Sequence, residues 1–131
     1  MKNLNIISLA VATLIFSGSA MADLDGSMDE LCEKMKTCAL SEVKKQGLPE
    51  GMEQMMVGMF EGMCATWVKP YAATIGQAGL EDKAEACVDS VVSQSCDALM
   101  TQSKNGPFTS DECKEFEAAA DEAGVDLENI N

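Results

Sequence analysis

LCEKMKTCALSEVKKQGLPEGMEQMMVGMFEGMC, from Leu31 to Cys64, carries two helical patterns on either side of a Gly47-Leu48-Pro49 break. Upstream of the break, Met28, Leu31, Cys32, Met35, Cys38, Ala39 and Val43 recur at spacings of three and four and fall on one side of a helix. Ser27 and Glu30 form an S-x-x-E capping box that opens this helix, and Gly47 stops it. Cys32 and Cys38 are six residues apart, about 120° around the axis, so they cannot pair with each other and each reaches a different neighbour. Downstream, Leu48 and Pro49 open a second helix, with proline in the first turn where its missing N–H costs nothing. That helix is expected to end near Lys69, because Pro70 resists continuation. Two helices joined by so short a break run antiparallel.

Outward from this hairpin the pattern stays helical. Tyr71 to Gly79 reads as a short helical turn and a connector. A third helix is expected from Leu80 to Gln102, with Leu80, Ala84, Cys87, Val88, Val91, Val92, Ser95 and Leu99 inward. Asn105, Gly106 and Pro107 make a turn. A second capping box, Thr109 with Glu112, starts a fourth helix whose apolar side is Cys113, Phe116, Ala119, Ala120 and Ala123, stopped by Gly124. Residues 125–131 read as a flexible tail. Strand-like alternation and internal repeats are both missing from the pattern. The expected fold is all-α: a small disulfide-stapled bundle of about four helices, forming a single domain over residues 23–124.

The first 22 residues read as an address. Lys2 precedes an apolar run from Ile6 to Phe16, then small residues ending in Ala20-Met21-Ala22, the pattern of a Sec-type signal peptide cleaved after Ala22. The run is too short for a transmembrane helix, which needs roughly 20 apolar residues. The expected residence is therefore the periplasm or the external medium, an oxidising place. All six cysteines lie downstream of this segment, and an even number in an exported chain of this size implies three disulfides. Reflection about the two turns gives the expected scheme: Cys32 with Cys64, Cys96 with Cys113, and Cys38 with Cys87 by elimination. No C-x-x-C occurs, which argues against thioredoxin-like redox chemistry.

Composition excludes several functions. The chain of 131 residues has no histidine and, read residue by residue, no arginine. Ser-His-Asp catalysis, imidazole metal ligation and bidentate guanidinium recognition of phosphate are thereby closed. The formal charge is −13, and loss of Lys2 with the leader leaves eight lysines against 22 carboxylates, or −14. Nucleic acids and anionic membranes are repelled by such a chain, and stable membrane insertion is not expected. Asp111, Glu112, Glu115, Glu117, Asp121 and Glu122 read as a solvated face of the last helix, while Glu42 stands on the apolar side of the first and is expected to snorkel or to pair with Lys45 or another lysine. The serines have no base to activate them and no cofactor fingerprint is present, so catalysis is not expected.

Chemistry concentrates instead on the second helix. Met52, Met55, Met56, Met59 and Met63 share an arc of about 100°, with Phe60 and Trp67 at its edge and Gly51, Gly58 and Gly62 beside it. Glu50, Glu53, Gln54, Val57 and Glu61 take the other side. An amphipathic helix buries its apolar side, so one reading sets the methionines against the core, with the glycines permitting tight packing. A second makes this face an apolar binding surface for a protein, peptide or lipid-like partner, which suits the unbranched, polarizable methionine chain. A third is a Cu(I) site built from these five thioethers, soft ligands that stay available where cysteines are oxidised. No other metal or cofactor is expected. The function expected from the whole is a non-enzymatic binding module, with copper handling, or an acid- or stress-responsive protective role driven by carboxylate neutralisation, as alternatives.

Overall fold

The computed structural model describes residues 20–130, with side chains from Asp23 onward. The segment read as a signal peptide, residues 1–22, lies outside the described residues except for the backbone of its last three, which begin the first helix. Among the described residues the chain forms five helices and no strand: α1 (Ala20–Lys45), α2 (Glu50–Gln77), α3 (Glu81–Val92), α4 (Cys96–Asn105) and α5 (Asp111–Glu122). The all-α class stands, with five helices where about four were expected.

Helix α1 is the centre of the arrangement. It packs against α2, α3 and α4, while α5 lies along α3. Its apolar stripe begins upstream of the expected start, because Leu24 and Met28 are both almost fully buried and sit one turn apart, in line with Leu31. Ser27 and Glu30 are consequently interior helical residues, and the capping box between them is not used as a cap. At the other end the chain leaves α1 through Gly47 at φ +68°, with the Leu48 N–H bonded back to the Val43 carbonyl at 3.5 Å. The same six-to-one bond, Leu80 to Ile75 at 3.2 Å, closes α2 beside Gly79 at φ +69°.

Three further boundaries differ from expectation for identifiable reasons. Helix α2 continues through Pro70 to Gln77. An interior proline costs about 3 kcal/mol, but Val68, Ala72 and Ile75 on both sides of it are buried on one face, and stopping at Lys69 would expose two of them. The expected helix over Leu80–Gln102 is broken at Ser93–Ser95 into α3 and α4. Ser95 takes the N-cap position, its Oγ accepting from the Ala98 N–H at 3.2 Å, which favours a fresh start over continuation. Helix α5 is capped by Ser110, whose Oγ accepts from the Cys113 N–H at 3.2 Å, rather than by Thr109. The Thr109 hydroxyl accepts instead from Gln102 Nε2 at 3.1 Å, tying α4 to the turn before α5.

The break between α3 and α4 also reorders the disulfides. Cys32 joins Cys64, with Cα atoms 6.1 Å apart, stapling the α1–α2 hairpin as its reflection about Gly47 implies. The other two pairs correct the expected scheme: Cys38 bonds to Cys96 rather than Cys87, and Cys87 bonds to Cys113, displacing the Cys96–Cys113 pair. The expected pairing assumed one continuous helix folding back on the last one. With the chain turned at Ser93–Ser95, α3 runs beside α5 and presents Cys87 to it, while Cys96, the first residue of α4, is delivered to α1. The Lys45 ammonium reaches Asp97 at 3.4 Å and Glu42 at 3.6 Å, so an exposed ion cluster lies beside the Cys38–Cys96 bridge.

The core gathers Leu24, Met28 and Leu31 of α1, Val68, Ala72 and Ile75 of α2, Val88 and Val91 of α3, Leu99 of α4, and Phe116 and Ala120 of α5. Beyond Gly124 the chain, read as a flexible tail, lays Val125, Leu127 and Ile130 against this core. No described helix is long and apolar enough to cross a membrane. Three disulfides and no free cysteine are the chemistry of an oxidising, extracellular type of environment.

Candidate interaction surface

The methionine stripe faces outward. Val57, Cys64, Val68 and Ile75 lie within about 40° of one another around α2, and the bond from Cys64 to Cys32 fixes that side against α1. Met55 is nine residues from Cys64, about 180° around the axis. The reading that set the methionines against the core is therefore overturned: Met55 is 74% exposed, Met59 61%, Met63 53%, Met52 43% and Trp67 43%. Met56 and Phe60, on the shoulder of the arc, are half-buried. The side that carries Glu50, Glu53, Val57 and Glu61 is the one that packs, through Val57 and Cys64, with Glu53 half-buried among them.

The glycines have no internal role. A Cβ placed on Gly51, Gly58 or Gly62 would meet nothing within 4 Å, so no neighbouring helix uses the smooth strip they form. The Thr66 hydroxyl folds back onto the Gly62 carbonyl at 2.7 Å, leaving its methyl group to continue the apolar surface. Trp67 stacks obliquely on Tyr71, ring centroids 4.6 Å apart, and this pair ends the exposed apolar stretch where α2 enters the core. Burial pushes the Tyr71 phenol up to about 12, with the negative charge of Glu117 adding to it.

Charge is arranged around this face rather than on it. Glu50, Glu53 and Glu61 all stand at least about 120° from Met55, toward α1. Glu61 approaches the Lys36 ammonium at 3.8 Å, and Lys36 is held above the ordinary lysine range first by its hydrogen bond to Glu33 and then by the charges of Glu33 and Glu61. At the other end a small cleft between α1 and α2 is lined by Asp25, Asp29, Cys64, Ala65, Val68 and Lys69. Asp25 Oδ1 is buried there without a hydrogen-bond partner among the described residues. Sequence reasoning missed Asp25 and Asp29 as neighbours of Ala65 and Lys69 on α2; their one-turn spacing on α1 was the available signal. Glu42, the carboxylate singled out on the first helix, pairs with Lys45.

No group of three or more histidine, cysteine, aspartate or glutamate residues among those described is placed to hold a metal ion. The only soft donors outside the disulfides are the methionines, and Met55, Met59 and Met63 fall on successive turns of the exposed side. Compared with known proteins, the chain matches no family model, no curated protein and no solved structure. Its functional reading rests on its own surface.

Proposed function

We propose that the chain is an exported, non-enzymatic interaction module that works in the periplasm or the medium after loss of residues 1–22, and that it binds an apolar partner through the methionine and glycine face of α2. One observation carries this reading: four methionines and the single tryptophan stand 43–74% exposed on one side of a helix whose opposite side supplies the packing. Contiguous apolar surface of this kind is uncommon on a chain that needs no partner. The test is binding of an environment-sensitive hydrophobic dye at neutral pH by the natively folded protein. Native protein is expected to bind the dye, and Met55→Gln with Met59→Gln to bind it several-fold more weakly with an unchanged Tm. Equal binding by both, or none by either, would refute the assignment.

A second reading is favoured by the exposure of Met55, Met59 and Met63 together with the absence of free thiols: thioether coordination of Cu(I). Substitution by leucine separates the two, because leucine keeps the surface apolar and removes the donor. Stoichiometric copper lost in Met55→Leu and Met59→Leu, with dye binding retained, supports copper handling. Absence of stoichiometric copper after Cu(I) loading removes it.

A further inference from the structure

The distribution of charge on the hairpin goes further than the presence of an apolar face. Of the chain's 22 carboxylates, none lies on the methionine side of α2 between Gly51 and Lys69. Glu50 and Glu61 stand on the opposite, packing side toward α1, Glu53 stands in line with Phe60 at one margin, and Asp25 and Asp29 lie beside Ala65 and Lys69 at the other. The one cation on the face, Lys69, thus adjoins two carboxylates. An apolar strip without carboxylates, edged by Glu53 and Asp29 on a strongly acidic molecule, is complementary to a helix with an apolar stripe and basic flanks.

The glycines point the same way. Each glycine in a helix interior costs about 1 kcal/mol relative to alanine. Since nothing inside the molecule occupies the space over Gly51, Gly58 and Gly62, the close approach they permit is available only to a chain from outside. The strip from Gly51 to Trp67 is about 25 Å long, the length of a helix of similar residue count. The net charge selects among occupants. A second copy would bring another −14 against the first, and an anionic lipid surface would be repelled as well, whereas a basic chain is attracted over the whole molecule.

We infer that the occupant of this face is a cationic amphipathic helix, its apolar stripe laid on Met52, Met55, Met59 and Met63, its backbone close to the glycines, and its lysines or arginines reaching Glu53 at one margin and Asp29 at the other. This rests on the proposed function and names the class of partner. Trp67, the only tryptophan, is a built-in reporter at the end of the face. The experiment titrates the folded protein with a tryptophan-free 18-residue peptide of leucine and lysine at helical spacing, alongside a scrambled peptide of the same composition and a helical peptide with glutamate in place of lysine.

The expected result is a saturable blue shift of Trp67 with the helical lysine peptide, weakening as salt is raised, with both control peptides at least about tenfold weaker. Met55→Gln with Met59→Gln, and separately Asp29→Asn with Glu53→Gln, should each weaken binding several-fold; Met55, Met59 and Asp29 are exposed and Glu53 is half-buried, and unchanged circular dichroism confirms the fold of each variant. Equal binding of the scrambled peptide would show charge attraction without a site and overturn the inference. Equal binding of the glutamate helix would overturn it while leaving the apolar module intact, and silence of every helical peptide would remove both. Sedimentation showing a dimer that Met55→Gln dissolves, or preferential binding to phosphatidylcholine vesicles, would assign the face to a second copy or to lipid instead.

Discussion

Gly58 sits in the middle of α2 with open space where its side chain would be. Alanine there adds helix propensity without a clash, so Gly58→Ala is expected to stabilise the fold by about 1 kcal/mol, read as a higher urea midpoint with unchanged m-value. Destabilisation would reveal a contact the fold does not show. Tyr71 makes a second prediction at this scale. As the only tyrosine it can be titrated by tyrosinate absorbance without overlap. Its folded value, raised to about 12, lies above the ordinary 10, so the folded state holds the proton more tightly and stability is lost as pH rises from about 10 toward about 12. A native-state midpoint near 10 would contradict its burial. Single residues also show what the sequence concealed. Pairing Cys32 with Cys64 already fixes the phase of α2 and turns Met55 away from α1. That deduction was available, but the rule that the most apolar side is buried points the other way. The side that does pack is diluted by Glu53 and Glu61, and reads as polar until the disulfide is used to orient it.

At the scale of elements, helix type was legible because apolar residues recur at spacings of three and four and no strand-like alternation competes with them, while helix ends were not. Whether α3 continues into α4 is decided by one hydroxyl, Ser95 Oγ on the Ala98 N–H, and serine in a helical pattern carries little weight by itself. Pro70 misleads in the opposite sense, since its local cost is outweighed by burial of Ala72 and Ile75, which only the assembled core shows. Uneven support along α2 has a consequence. Its buried residues all lie from Val68 onward, and none of the residues from Glu50 to Trp67 is buried. The outer half is held by α1 through the Cys32–Cys64 bridge and partly buried side chains. Native-state hydrogen exchange is expected to be faster for amides between Met55 and Met63 than between Val68 and Ile75. Replacing Cys32 and Cys64 together by alanine should accelerate the first group far more than the second. Uniform acceleration along α2 would mean that the helix opens as one unit.

For the whole molecule, the question is what holds a chain of this composition together. Five aromatic residues beyond the leader and a core built largely of alanine, valine and leucine give modest burial, and the formal charge opposes compaction. The bridges span 32, 58 and 26 residues of sequence, and loops of that size are each worth about 3 to 4 kcal/mol in the chain-entropy view. A domain of this size has only about 5–15 kcal/mol of net stability, so the three bridges together are comparable with the whole of it. They are also placed to close the architecture: Cys32–Cys64 ties α2 to α1, Cys38–Cys96 ties α4 to α1, and Cys87–Cys113 ties α5 to α3. Reduction in native buffer should therefore abolish the near-UV circular dichroism of Trp67 and Tyr71 and leave a helical but loosely packed chain, with the single tryptophan shifted to the red. Retention of both near-UV and far-UV spectra in excess reductant would show that packing around Leu24, Met28 and Ile75 suffices alone. In that event the cysteines would have to be explained by resistance to unfolding in the exported environment rather than by the equilibrium stability of the bundle.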